Sequence, residues 1–204
     1  DSINDELINM RRHIHAHPEL SGLENQTAIL ISGYLKNIGW RVKESIGRTG
    51  VVADFGPKDK GFIGLRVDMD ALPIYENTNL SFSSKIDGVM HACGHDLHTC
   101  IGLGVAKIIK DFKLQFGTRI IFQPAEEIAS GAKWMINDGV TNGLRQILGV
   151  HVFPELLVGT IGIKEGSLTA AAGEISVEII GKSGHGARPH EGVDAIWAAS
   201  KVIS

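Results

Sequence analysis

Met90-His91-Ala92-Cys93-Gly94-His95-Asp96-Leu97-His98 gathers a thiol, three imidazoles and a carboxylate into nine residues with almost no apolar content. Such a stretch reads as a poor core segment and a good metal site. Only a glycine separates Cys93 from His95, so a tight turn can aim a sulfur and a ring nitrogen at one point, and both are borderline-soft ligands suited to zinc and its neighbours. Further on, Ile120-Ile121-Phe122-Gln123-Pro124-Ala125-Glu126-Glu127 is an apolar run that stops at a proline and then presents two carboxylates side by side. Adjacent side chains of an extended segment point in different directions. One glutamate can therefore bind a metal while its neighbour faces the metal's water as a general base.

The elements around these stretches follow from periodicity and punctuation. Residues 2–17 read as a helix capped by Ser2, with Asp5 three residues on and Ile3, Leu7, Met10 and Ile14 as its apolar stripe; Pro18 stops it. His13, His15 and His17 near its end read as surface or supporting imidazoles, since no third type of ligand accompanies them. A second helix covers 24–38, with Ala28, Ile31, Leu35 and Ile38 inward and Gly39 as the stop. Short β-rich runs at 40–45, 51–55 and 62–67 are punctuated by Gly and Pro. Residues 98–112 read as a helix in which Gly102 and Gly104 allow close packing and Cys100 is a small buried hydrophobe. A strand at 118–122, a helix at 130–138 and a strand at 146–150 follow.

Strands alternating with helices predict an α/β fold with a mostly parallel sheet sandwiched by helices. Asp68 and Asp70 lie two apart on an extended segment, on one face, where such a sheet places ligands. A turn-forming Asp pair ahead of Pro73 is the competing reading. His151 directly follows the apolar strand at 146–150, the same topological position, which makes it a candidate ligand. From about Ala172 the character changes: an alternating strand at 174–180, a basic, glycine-rich loop at 181–189 with His185 and Arg188, and a helix beginning at 193. These cannot bury their apolar faces alone, so residues 1–171 are expected to form one domain and 172–204 the beginning of a second.

Composition bounds the partners. With 43% hydrophobic and 21% charged residues in 204, the chain is globular, and a net charge of -3 gives no hint of nucleic acid or an anionic membrane. No apolar run is long enough to span a bilayer. Cys93 and Cys100 do not read as a structural staple, and a thiolate ligand survives best in a reducing compartment, so the cytoplasm is expected. The chain begins at Asp1, so trimming of a preceding segment is an open expectation.

Taken together, Met90 to Asp96, Gln123 to Glu127, His151-Val152-Phe153-Pro154 and Gly184-His185-Gly186-Ala187-Arg188-Pro189-His190 resemble the M20 metallopeptidase family. The likeness is to its amidohydrolase branch, which includes hippurate hydrolase, N-acyl-L-amino acid amidohydrolase and the auxin-conjugate hydrolases. Arg11-Arg12 with His17-Pro18-Glu19-Leu20, and Arg66 to Pro73, look like that branch too. The resemblance implies a zinc-peptidase-like catalytic domain holding two divalent metal ions, zinc, manganese, nickel or cobalt, and a smaller α+β lid through which homodimers form. It implies Cys93, His95, Glu127 and His151 as metal ligands, Glu126 as general acid/base and Asp70 as a supporting acid. His185 in the lid is expected to stabilise the tetrahedral intermediate.

The implied reaction is hydrolysis of the amide bond of N-acyl amino acids, with metallo-carboxypeptidase or dipeptidase activity on short peptides as the alternative. Family members run to about twice the usual single-domain length and carry a final histidine ligand near their C-terminus. The chain as it stands is therefore expected to turn over little, and a catalytically silent, metal-stabilised module is a further alternative. Where the family commonly has a glycine run after the paired glutamates, Ile128-Ala129-Ser130-Gly131 stands here.

Overall fold

In the computed structural model, which describes residues 3–170 and 175–204, the apolar runs of the first of two units, Asp1–Glu155, pair into one five-stranded sheet. Its strands are β1 (Arg41–Ile46), β2 (Gly50–Phe55), β3 (Phe62–Asp68), β4 (Gly117–Gln123) and β5 (Leu144–Gly149), in the order β1-β2-β4-β3-β5. β3 pairs in parallel with β4 and β5, whereas β2 pairs antiparallel with β1 and β4. The expected α/β sheet is thus parallel in one half and antiparallel in the other. The antiparallel half arises because β1 and β2 are joined by a short turn through Gly47 and Arg48, both at positive φ, and a tight turn can only reverse the chain.

Helices cover both faces. The side chains of Val51, Ala53, Ile120 and Phe122 pack with Ile31, Leu35 and Leu103 of α2 (Asn25–Asn37) and α3 (His95–Ile109). The intervening Val52 and Ile121 pack with Met135 of α4 (Gly131–Asn137) and with Val140. This is the period-two alternation of a sheet covered on both sides. α1 (Ile3–Ala16) lies over α3 through Leu7 and Met10, and Ile14 is buried; its expected Ser2 cap lies outside the described residues. Gly102 lets α3 approach the sheet: a Cβ there would stand 3.0 Å from Val67 and from Phe122. Each large apolar side chain buried in this way contributes about 1.5–3 kcal/mol.

Two expectations are corrected here. The helix predicted from 98 begins at His95, directly after Gly94 in the left-handed conformation (φ 88°), so the metal-like stretch is half turn and half helix. It is not poor core material either, since His91, His95, Asp96 and His98 are all buried. Polar groups tolerate such burial when they find partners: His95, Asp96 and His98 find theirs in Asp70, His15 and Asp68, far away in sequence, whereas neither ring nitrogen of His91 has a hydrogen-bond partner among the described residues.

The second unit, Leu156–Ser204, contains a backbone bridge between Lys182 and Val193, a 3-10 turn Pro189–Glu191 and α5 (Ala195–Ile203). Asp194 caps α5 by accepting from the amides of Ile196 and Trp197. The strand expected at 174–180 is not formed over residues 175–180; an alternating pattern makes a strand only when another strand supplies its hydrogen bonds. Its first residue, Glu174, and the expected boundary at 171/172 lie outside the described residues. Among the described residues no helix is long and apolar enough to cross a membrane.

Candidate metal centre

β3, β4 and β5 run in parallel and end on one edge. Each delivers ligand-type side chains just past its last apolar residue: Asp68 and Asp70 from β3, Glu126 and Glu127 from β4, His151 from β5. The start of α3 brings Cys93 and His95 to the same edge, where open α/β sheets collect their functional groups. The structure gathers Cys93, His95 and His151 in one cluster and His95, Glu126 and Glu127 in another, with donor atoms within 4.8 Å of one another in each. His95 is shared, so the four residues expected as ligands converge on one imidazole.

Hydrogen bonds set the aim of the rings. His95 Nδ1 lies 3.0 Å from the carbonyl of Asp70 and 3.2 Å from its carboxylate. His151 Nδ1 lies 2.7 Å from the Val152 carbonyl. Donation to these acceptors leaves an Nε2 lone pair on each neutral ring. His95 Nε2 then faces Asp68 Oδ1 at 3.7 Å and Glu126 Oε2 and Glu127 Oε1 at 3.8 Å each, while His151 Nε2 sits 3.5 Å from Cys93 Sγ. The glutamate pair does not lie on extended chain. Ala125 is left-handed (φ 48°) and the chain turns through 126–129, so both carboxylates approach His95. Their burial separates them: the Glu126 side chain is 39% exposed and that of Glu127 16%.

Crowding of anionic groups marks the electrostatics. Burial, reinforced by the charges of Glu127 and Glu126, pushes the Cys93 thiol up to about 11. Burial and the charge of Glu126 also raise Glu127. Burial would raise Asp70 as well, but hydrogen bonds from His95 and Ser21 and from the Glu127 amide hold it below the ordinary carboxylate range. Burial works against the cationic form of His95, yet the hydrogen bond to Asp70 and the charge of Asp68 raise its pKa. A divalent cation would relieve this crowding. The donor set suits one: thiol, imidazoles and carboxylates, with His95 Nε2 and Glu127 Oε1 both buried and without a hydrogen-bond partner among the described residues.

A surrounding shell was only partly legible in the sequence, which named Asp68 and a supporting role for His15 but not their partners. His98 is committed at both nitrogens, 2.5 Å from Asp68 Oδ1 and accepting the Val152 amide at 2.9 Å, so it braces Asp68 and the backbone beside His151. Asp68 also meets Arg66 at 2.7 Å. His15 is buried between Asp96 (2.8 Å) and Glu76 (3.2 Å), and Arg11 reaches Asp96 at 2.7 Å, fastening α1 to the first turn of α3. His13 and His17 form only a local pair, with ring centroids 4.5 Å apart. A signal for His15 was its phase: it follows Ile14 on the buried side of α1. Cys100 is buried in α3. His185 belongs to the second unit, where its ring accepts the Ala187 amide at 3.1 Å.

Comparison with known proteins places the chain in one family. Residues 64–203 match the profile of Peptidase family M20/M25/M40. A probable hydrolase of Synechocystis sp. is 54% identical over 97% of the chain and 51% of its own length. An N-acetyl-L-cysteine deacetylase of Bacillus subtilis is 44% identical over 99% of the chain and 49% of its own length. The crystal structure of Bacillus subtilis YXEP protein, a dinuclear metal binding peptidase from M20 family, superposes with a TM-score of 0.77 at 47% identity, covering 80% of this chain and 47% of that one. The chain thus spans about half the length of the relatives it matches.

Proposed function

The chain belongs to Peptidase family M20/M25/M40, in its amidohydrolase branch, and from that premise we propose that the full protein hydrolyses the amide bond of N-acyl amino acids. Cys93, His95, Glu127 and His151 would hold the metal ions, zinc, manganese, nickel or cobalt. Two divalent cations there would polarise the scissile carbonyl and acidify water, the chemistry of metal-assisted hydrolysis. Glu126 takes the proton of the attacking water and passes it to the leaving amine, serving as base and acid in turn. Its greater exposure turns it toward substrate, and the burial of Glu127 suits a ligand. Asp70 orients His95 through Nδ1 and holds the Glu127 amide at 3.0 Å. His185 is the donor to the developing oxyanion.

One observation carries this reading: a fully buried imidazole nitrogen, His95 Nε2, without a hydrogen-bond partner among the described residues and ringed by carboxylate oxygens. Within the proposal, residues 1–171 are the catalytic part and 172–204 begin a lid that also dimerises, in a reducing cytoplasm that suits a thiolate ligand. The test uses the full-length, metal-loaded protein with N-acetyl amino acids and dipeptides. Glu126→Gln is expected to lower turnover by about 10²–10⁴-fold with normal metal content, and Glu127→Ala to lose metal. Equal metal loss in both would contradict the division of roles. A preference for dipeptides would turn the reading to a metallo-carboxypeptidase or dipeptidase.

A further inference from the structure

Glu24 stands just ahead of α2, and no exposure remains to it. Among the described residues no basic side chain pairs with its carboxylate. Oε1 accepts the amides of Gly22 and Ala125 at 2.8 Å each, and Oε2 accepts the Thr49 hydroxyl. A buried carboxylate with no counter-charge is costly, and only its hydrogen bonds offset that cost. Helix capping does not require it here. Glu19 performs that task from outside the helix, accepting the amides of Gln26 at 3.0 Å and Thr27 at 2.8 Å.

We infer that Glu24 is a positioning residue that sets the direction of the Glu126 side chain, a role that rests on the acid/base function proposed for Glu126. β4 ends at Gln123 and Pro124 has no N–H, so the Ala125 amide is the first donor beyond the strand. Ala125 holds φ 48°, a left-handed conformation unfavourable for a residue with a Cβ, which persists only where its surroundings enforce it. The bond from Ala125 to Glu24 is such a constraint. On the other side, the Glu127 amide is held by Asp70 Oδ2 at 3.0 Å. Glu24 thus anchors the Pro124–Ala125 peptide, the next one along has its Ala125 carbonyl held by the Ser130 and Gly131 amides at 3.2 and 3.1 Å, and the Glu126–Glu127 peptide is held by Asp70 at its N–H and by the Ala129 amide, at 2.8 Å, at its carbonyl. With both peptides beside Glu126 held and the one before them anchored by Glu24 across the left-handed Ala125, the Cα–Cβ direction of Glu126 is set.

The experiment uses the full-length, metal-loaded enzyme. Glu24→Ala is expected to lower kcat by about 10²-fold, the effect of displacing a reacting group by about 1 Å, with KM and bound metal unchanged and faster hydrogen exchange at the Ala125 amide. Glu24→Gln retains an acceptor for that amide, and the Thr49 hydroxyl can donate or accept, so it is expected to restore most of kcat. If Glu24→Ala does not fold, Thr49→Ala removes one donor and is expected to lower kcat several-fold in the same KM-independent way. The inference is overturned if folded Glu24→Ala keeps kcat within about twofold, if Glu24→Gln is as impaired as Glu24→Ala, or if kcat falls only in proportion to metal. Retained turnover in Glu126→Gln instead removes the proposed chemistry, and the catalytic part of this inference with it. An unchanged Ala125 exchange rate in Glu24→Ala overturns the positioning itself, whatever the chemistry.

Discussion

A methyl group on Gly131 is the most economical probe of the turn that carries Glu126 and Glu127. A Cβ there would stand 1.6 Å from the Pro124 carbonyl oxygen and 2.6 Å from its carbon. The closest favourable C–H···O contacts are about 3.3–3.6 Å, so helix and carbonyl must part by about 1.7–2 Å. Both are backbone, so no side-chain rotation relieves the clash. Separation stretches the bonds by which the Ser130 and Gly131 amides reach the Ala125 carbonyl, now 3.2 and 3.1 Å. Losing the two costs about 1 kcal/mol each, overpacking adds about 1–3 kcal/mol, and the helix preference of alanine returns up to about 1 kcal/mol. Gly131→Ala is therefore expected to destabilise the full-length protein by about 2–5 kcal/mol, read as a lower urea midpoint at unchanged m-value. It should also cut kcat by about 10²-fold by moving Glu126, the proposed acid/base. The control is Gly33→Ala in α2, where a Cβ meets nothing within 4 Å and up to about 1 kcal/mol of stabilisation is expected. Gly131→Ala with the midpoint and kcat of the parent protein would refute the reasoning.

Two further outcomes follow from the site. Full-length protein loaded with cobalt is expected to show a thiolate-to-metal charge-transfer band that vanishes in Cys93→Ser and persists in Cys100→Ser, since burial pushes the Cys100 thiol up to about 12 inside α3. Because the Cys93 proton must leave for the metal to bind, apparent affinity should weaken as pH falls; a band indifferent to Cys93 would count against that ligand. The hydrogen bond from His15 to Asp96 outweighs burial and raises the His15 pKa above 6.5. Its contribution to stability is thus complete below pH 6.5 and lost as pH rises through the folded value. The Tm advantage of the parent protein over His15→Gln is expected to shrink between pH 6 and pH 9, and a gap that widens with pH would exclude the pairing.

Local pattern carried much of this protein. Apolar runs such as Phe62 to Val67 and Ile120 to Phe122 and the stripes of α1 and α2 announced their elements, because periods of two and 3.6 are written in consecutive residues. Glycine and proline marked where strands end, and a thiol, imidazoles and carboxylates at those ends marked where chemistry belongs. Strand direction was less legible: β1 and β2 pair antiparallel to their neighbours, and nothing in the period of a strand states which way its partner runs.

What stayed hidden depends on partners far away in the chain. The burial of His95, Asp96 and His98 rests on Asp70, His15 and Asp68, and Glu24 finds the Ala125 amide 101 residues on. Composition flagged His95 and His98 as polar but could not report that folding would bury them, since their hydrogen bonds to Asp70 and Asp68 exist only in the fold. Residues 175–180 kept the alternation of a strand without becoming one, because a β-ladder belongs to two segments. Residue types and local period are properties of the chain; convergence, burial and backbone strain belong to contacts that exist only after folding.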